Sequence, residues 1–210
     1  MKKISVIIAV MSLFTLLIGA SWVYANKEVE EESPFTVEQI GLDIVLKNYT
    51  GNDSHVVIPS DVTIIGIYAF IGNTDLVSVV IPNSVTKIQG SAFSGCSSLK
   101  SVVIPDSVTE MEGIIFNECA SLERVIIGNS VKNIGEFTFI DCKSLKDVTI
   151  GDSVLTIGKG SFSGCTSLAS ITLGKNMTSI SSCLFSGCVN LKEITIPNTV
   201  TSIGATVQRQ

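Results

Sequence analysis

The chain has 210 residues, of which 45% are hydrophobic and only 16% are charged, and its formal net charge is −5. This composition is too apolar for a disordered chain, and no cluster of basic residues after Lys2 and Lys3 suggests nucleic-acid binding. The single histidine, His55, leaves little capacity for acid–base catalysis, whereas the abundance of serine, threonine, valine, isoleucine and glycine favours a β-rich fold.

Residues 1–25 predict a secretory signal peptide. Two lysines precede an apolar run over residues 4–18, and Val23 and Ala25 occupy positions that suit a cleavage site. The apolar segment is also just long enough to span a bilayer, so an uncleaved membrane anchor is the alternative. In either case the rest of the chain is expected to be exported. Residues 26–33, NKEVEEES, predict an acidic spacer.

The chain after residue 55 repeats with a period of 23 residues. Three residue types recur in fixed slots, and Asn73 stands in the first cysteine slot. The recurring residues are Phe70, Phe93, Phe116, Phe139, Phe162 and Phe185; Leu76, Leu99, Leu122, Leu145, Leu168 and Leu191; and Cys96, Cys119, Cys142, Cys165 and Cys188. Such a repeat predicts a solenoid, because one unit cannot bury its apolar face until neighbouring units stack on it.

Each unit also contains an apolar triplet, such as Val102-Val103-Ile104, which is closed by a proline or a glycine. The triplet predicts a short strand whose first and third side chains point into the core and whose second points outward. Strands of successive units are expected to pair in parallel, about 4.8 Å apart, and to form one face of the solenoid.

The unit sVxxIgxxaFxxCxsLxxvxIP, which fits six consecutive units, resembles the leucine-rich repeat of BspA-like surface proteins. Residues 42–62 are similar to the module that often precedes such repeats. We therefore expect an N-terminal capping module over residues 34–55 and a repeat domain over residues 56–210, with an incomplete last unit.

The resemblance implies an α/β leucine-rich repeat solenoid. The expected shape is a curved right-handed superhelix with a short-stranded parallel sheet on one face and tight turns or short helical segments on the other. The resemblance also implies secretion or surface display, and binding to a host or neighbouring-cell surface protein.

Five of the six cysteines share one slot of the repeat. Neighbouring side chains in a parallel ladder point the same way, which disfavours disulfides, and a straight ladder cannot surround a zinc ion. We therefore favour buried free thiols, with disulfides and a metal site as the alternatives. Cys183 stands outside the column, in a slot whose residue type varies, so we expect that slot to be near the surface or poorly constrained. Cys183 is the best candidate for a reactive or intermolecular thiol, although we favour an ordinary free cysteine at this position.

The outward side chains of the triplets are the candidate protein-binding face, because slots that vary in a repeat protein face solvent. An apolar strip rimmed by polar groups is typical of a binding patch, although β-propensity alone would also place such residues there. The middle residues are Val57, Val80, Val103, Ile126, Thr149, Thr172 and Thr195, and their neighbours on the same face include Arg124, Asp147 and Glu193.

No nucleophile–base pair, phosphate loop or carboxylate dyad is visible in the sequence, so we expect no enzyme, no cofactor, and no catalytic or metal-binding residues. Gln208 stands in a phenylalanine slot near the end of the chain. An uncapped last coil could stack on a second copy. The alternatives to a binding function are therefore a structural or self-associating module, or a fragment of a larger cell-surface protein.

Overall fold

The 23-residue unit forms one coil of a solenoid. The computed structural model describes residues 33–204. The expected signal peptide, nearly all of the acidic spacer, and the incomplete unit at Gln208 lie outside these described residues.

Sixteen strands lie within the described part of the chain. In order they are β1 Phe35–Ile40, β2 Asp43–Tyr49, β3 His55–Val57, β4 Ile64–Ile65, β5 Ser78–Val80, β6 Lys87–Ile88, β7 Ser101–Ile104, β8 Glu110–Met111, β9 Arg124–Ile127, β10 Asn133–Ile134, β11 Asp147–Thr149, β12 Thr156–Ile157, β13 Ser170–Thr172, β14 Ser179–Ile180, β15 Glu193–Thr195 and β16 Ser202–Ile203.

The apolar triplets form a parallel ladder, which we call the triplet sheet. It runs in the order β11-β9-β7-β5-β3, and β13 and β15 form a separate pair. The predicted alternation is confirmed in most coils: in β7, for example, Val102 and Ile104 are buried while Val103 is exposed. The strands begin one residue earlier than predicted, since the first of them starts at His55 instead of Val56.

A second ladder, which we call the doublet sheet, joins the hairpin strands β1 and β2 to the two-residue strands of the successive coils. Its order is β1-β2-β4-β6-β8-β10-β12, and β14 and β16 form a separate pair. The expectation of helical segments was therefore wrong, because no helix occurs within residues 33–204. Each doublet from β4 to β14 ends in a buried apolar residue, such as Ile88 or Ile134, and a strand of two residues is too short for even one helical turn.

The antiparallel hairpin β1–β2 precedes the first coil, and β2 pairs in parallel with β4. Gly41 has φ +64° at the hairpin turn, a conformation that glycine adopts without steric cost. The hairpin also contributes aromatic rings to the core. Phe35 contacts Tyr49, and Tyr49 contacts Phe70, with ring centroids 5.0 and 5.2 Å apart.

A stack of phenylalanine rings runs through the core. The centroids of Phe70 and Phe93 are 4.8 Å apart, and those of Phe116 and Phe139 are 5.4 Å apart with ring planes only 1° from parallel. Main-chain hydrogen bonds fix this stack, because the N–H of each phenylalanine from Phe70 to Phe162 donates to a carbonyl of the next coil. Five of the rings are fully buried, and they are the largest fully buried side chains of the described core.

Two slots in each turn hold the main chain in the left-handed region. One is the slot of Cys183, where the non-glycine residues Tyr68, Ser91, Ile114, Phe137 and Cys183 have φ between 54° and 63°. The variable residue type of this slot suggested that it is poorly constrained. The recurring positive φ shows instead that its main-chain conformation is the same in each coil. The other slot contains glycine in four coils, whereas Glu118 and Asp141 occupy it with φ 57°. Non-glycine residues pay about 1–2 kcal/mol for this conformation.

Replacing Glu118 with glycine should raise the free energy of unfolding by about 0.5–1 kcal/mol. Glycine relieves the left-handed strain, and this gain exceeds its larger loss of chain entropy on folding. The matched control is Glu136→Gly, which changes an exposed glutamate with negative φ and should lower stability by a similar amount. Urea unfolding of both variants measures the difference. A loss of stability in Glu118→Gly would contradict the strain argument.

Truncation of Phe116 to alanine should cost about 3–5 kcal/mol of unfolding free energy, because its ring is fully buried between two others. The same change at Phe185, which is only partly buried and stacks at 5.8 Å from Phe162, should cost clearly less. Chemical denaturation measures the free energy of unfolding of both variants. Equal losses would show that the contribution of a ring does not depend on how deeply it is buried in the stack.

Candidate protein-binding face

The middle residues of the triplets form a column of exposed side chains along the triplet sheet. The exposed fractions are 67% for Val57, 55% for Val80, 55% for Val103 and 37% for Ile126. Thr149, Thr172 and Thr195 continue the column and are exposed as well. Parallel pairing in register places these residues side by side, for example Val57 beside Val80 and Val103 beside Ile126. The face is therefore apolar over four coils and polar over the next three.

A second column on the same face is polar and partly paired. Nδ1 of His55 lies 2.7 Å from Oγ of Ser78, and the guanidinium of Arg124 donates to Oδ2 of Asp147 at 3.1 Å. Glu193 is also exposed on this face. Because the Arg124–Asp147 pair is open to solvent, its net stabilisation is small, and it balances two opposite charges beside the apolar column.

A groove of about 920 Å³ adjoins this column where the strands β7, β9 and β11 end. Val103, Ile126 and Thr149 belong to its lining, as do Asp106 and Asn129. The N–H of Asn129 donates to Oδ1 of Asp106 at 2.6 Å, and one coil further Asp152 repeats this contact with Asn129. Sequence reasoning missed this polar ladder. The signal was available, since asparagine or aspartate follows the strand-ending proline or glycine in most coils.

The buried cysteines form a ladder of hydrogen bonds to the main chain. Sγ of Cys96 donates to the carbonyl of Phe70 at 3.1 Å, and Sγ of Cys119 donates to that of Phe93 at 3.2 Å. The same contact recurs at Cys142, Cys165 and Cys188. All six cysteines are free thiols, which confirms the interpretation of the column, and Cys183 is only half-buried.

Asn73 takes over the role of the thiol in the first coil. Its Nδ2 donates to the carbonyl of Gly51 at 3.3 Å, and its Oδ1 accepts the N–H of Leu76 at 3.1 Å. The sequence-based interpretation of this slot as one that bonds to the main chain is therefore correct. No group of three potential metal-ligating side chains occurs in the described part of the chain.

With this geometry in place, comparison with known proteins identifies the repeat. Residues 47–155 and 132–208 match the family model of the BspA type leucine rich repeat region, in six copies. The chain belongs to the BspA-type leucine-rich repeat family. Proteins of this family typically bind other proteins and are typically found at the cell surface or secreted. Leucine-rich repeat proteins generally act as binding modules.

Solved structures of bacterial leucine-rich repeat proteins are similar to this BspA-type chain. A leucine-rich repeat protein from T. pallidum is 35% identical, with a TM-score of 0.78 over 81% of this chain and 83% of that one. A protein from Bacteroides ovatus is 28% identical, with a TM-score of 0.60 and 81% and 54% coverage. A leucine-rich cell surface protein from Faecalibacterium prausnitzii is 27% identical, with a TM-score of 0.57 and 82% and 49% coverage.

The BspA-type chain spans about half the length of the last two of these proteins. No curated protein matches it significantly. Among residues 33–204, no helix has the length and apolar character that a membrane crossing requires.

The thiol column of this BspA-type repeat should make stability depend on alkaline pH. Burial raises the pKa of Cys96 to about 12 and that of Cys188 to about 11, and it raises the pKa values of the three thiols between them as well. A thiol in the unfolded chain ionises near pH 8.5. The unfolded state therefore loses protons first as the pH rises, which favours unfolding.

We expect the stabilisation from protonated thiols to be complete below about pH 8.5 and to be lost as the pH rises towards 11–12. Each thiol contributes a slope of about 1.4 kcal/mol per pH unit within this window. Urea unfolding at pH 8 and pH 10 measures the loss. Cys142→Ala lacks one buried thiol, so its free energy of unfolding should fall less steeply with pH, by the contribution of one thiol. An unchanged slope in that variant would contradict the role of the buried thiols in the pH dependence.

Proposed function

We propose that this protein is an exported, non-enzymatic repeat protein that mediates protein–protein interaction or adhesion through the outward face of the triplet sheet. The observation that carries the proposal is the unbroken exposed column of Val57, Val80, Val103 and Ile126. Solvated apolar side chains that lie in register over four coils can release water together when a partner covers them.

The polar surroundings favour a specific partner over general adhesion to apolar surfaces. The column is bordered by the Arg124–Asp147 pair on the triplet sheet and by Asp106 and Asn129 in the adjoining groove. An apolar centre with a polar, hydrogen-bonding rim is the usual composition of a protein interface. Thr149, Thr172, Thr195 and Glu193 would extend the contact along the more polar end of the face.

The partner we propose is a host or neighbouring-cell surface protein, as the family resemblance implies. Export through the apolar N-terminal segment would bring the solenoid into contact with such a partner, either secreted or tethered by an uncleaved anchor. We also take the coils to follow the curved right-handed superhelix of the family, which would present the triplet sheet as one extended surface. The proposal needs no cofactor and no nucleic acid.

The double variant Val103→Lys/Ile126→Lys tests this face. Two buried ammonium groups at the centre of an interface should abolish binding, whereas the fold should persist because both side chains already face solvent. The matched control is Ile67→Lys/Ile71→Lys, which places the same charges at exposed apolar positions in the turns of the first coil.

The assay compares proteins captured from a biotinylated surface-protein extract by the original chain and by the two variants, with circular dichroism as the folding control. A band that the original chain and the turn variant retain, and the face variant loses, supports the proposal. Equal capture by all three folded proteins would exclude the triplet face. Light scattering of the same samples separates capture of a partner from self-association.

A further inference from the structure

Both strand ladders are interrupted at the same junction between coils, which we call the seam. Within residues 33–204, β11 and β13 share no ladder pairing, and neither do β12 and β14. The neighbouring junctions of the triplet sheet are paired: β11 pairs with β9 over three residues, and β13 pairs with β15 over three. The seam therefore divides the repeat into two continuously paired blocks.

The main-chain hydrogen bonds show what the seam lacks. The carbonyl of Glu123 accepts the N–H groups of Lys146 and Asp147, and two coils later the carbonyl of Ala169 accepts those of Lys192 and Glu193. The equivalent acceptor at the seam is the carbonyl of Lys146. It receives no main-chain N–H from any described residue, so the N–H groups of Ala169 and Ser170 have no partner across the seam.

The core is also less tightly closed at the seam. Val125 and Val102 are buried in the first triplet slot, but Val148 in the same slot is only half-buried, as is Ile194 in the last described coil. A depression of about 390 Å³ lies over the junction, and its lining includes Val148 from one block and Ile171 from the other.

The opposite side of the seam remains bonded. The N–H of Phe162 donates to the carbonyl of Leu184 at 3.0 Å, and Gly164 donates to Ser186 at 2.8 Å. Sγ of Cys188 donates to the carbonyl of Phe162 at 2.9 Å. The two blocks are thus joined firmly along the turns and weakly along the strands.

We propose that the solenoid opens at the seam, with the Phe162–Phe185 turns as the hinge. The opening separates β11 from β13 and β12 from β14. It changes the spacing between Thr149 and Thr172 on the triplet face and leaves the column from Val57 to Ile126 unchanged.

Few bonds cross the seam outside the turns. On the doublet side, the N–H of Thr178 donates to the carbonyl of Leu155, and the Ser181 hydroxyl donates to that of Ile157. Beside the triplet strands, the side chains of Lys175 and Asn176 donate to Asp152, and the N–H of Ser167 donates to the carbonyl of Lys143. The side-chain contacts of Lys175 and Asn176 are exposed to solvent and resist the motion only weakly.

Amide-resolved hydrogen exchange of the full chain tests the opening. We expect the exchange to be fastest at the seam: the amide of Thr178, whose bond to Leu155 crosses the seam, should exchange at least tenfold faster than the amides of Leu155 and Thr201, whose equivalent bonds lie within a block. Equal protection of the three amides would overturn the proposal. A gradual decline from coil to coil towards the C-terminus would also overturn it, because that pattern indicates fraying of the end.

A pair of proline variants tests the missing bonds directly. Proline removes the N–H, so Asp147→Pro should lose the bond to Glu123 and lower Tm by roughly 6–12 °C relative to Asp147→Ser, which controls for the lost carboxylate. Ser170→Pro removes an N–H that has no partner and should lower Tm by less than half as much. Equal losses at the two positions would show that the seam is bonded in solution and would overturn the inference.

Discussion

Hydrogen bonding of the main chain from one coil to the next is the constraint on which the rest of the solenoid depends. The N–H of Thr86 donates to the carbonyl of Thr63 one coil earlier, and that of Phe93 donates to the carbonyl of Ile115 in the following coil. Because both sides of a coil are bonded in this way, a change in length would displace every later contact. The period of 23 residues, the ring stack and the thiol ladder all follow from keeping equivalent atoms one above another.

The columns could be predicted from the sequence because each buried slot accommodates a side chain of one size and shape. Phenylalanine, leucine and cysteine therefore recur in these slots, and the alternation in Val102, Val103 and Ile104 predicted which residues face outward. The doublet sheet could not be found in the same way, because a pair such as Lys87-Ile88 is too short to show a period of two. The slot of Cys183 was misjudged because its constraint acts on the main-chain conformation and not on the side chain. Tyrosine, serine, isoleucine and cysteine can all adopt the left-handed conformation, at a cost in free energy. The seam leaves no trace in the sequence, since Ile171-Thr172-Leu173 fits the repeat as well as any bonded triplet.

The charges on the surface follow the same period without adding much to stability. Lys146 pairs with Glu123, and Lys175 pairs with Asp152, each across one repeat and each exposed to solvent. Pairs of this kind contribute at most about 1 kcal/mol. Their consistent spacing does, however, disfavour a slip of one coil against the next, because a slipped register would separate the partners. The charged pairs thus support the register between coils. The exposed apolar column contributes little to folding, and the free energy of burying it can instead stabilise an interface with a partner.

The thiol ladder has a consequence for the lifetime of the protein. In the folded solenoid five sulfur atoms are shielded from oxidants by the coils that stack around them. A chain that unfolds in an oxidising medium exposes all of them at once, and any disulfide that then forms joins residues whose native side chains must point the same way along the solenoid. Such a chain cannot refold to the native solenoid. Outside a reducing compartment, therefore, the rate of the first complete unfolding event determines how long the molecule persists, independently of its equilibrium stability.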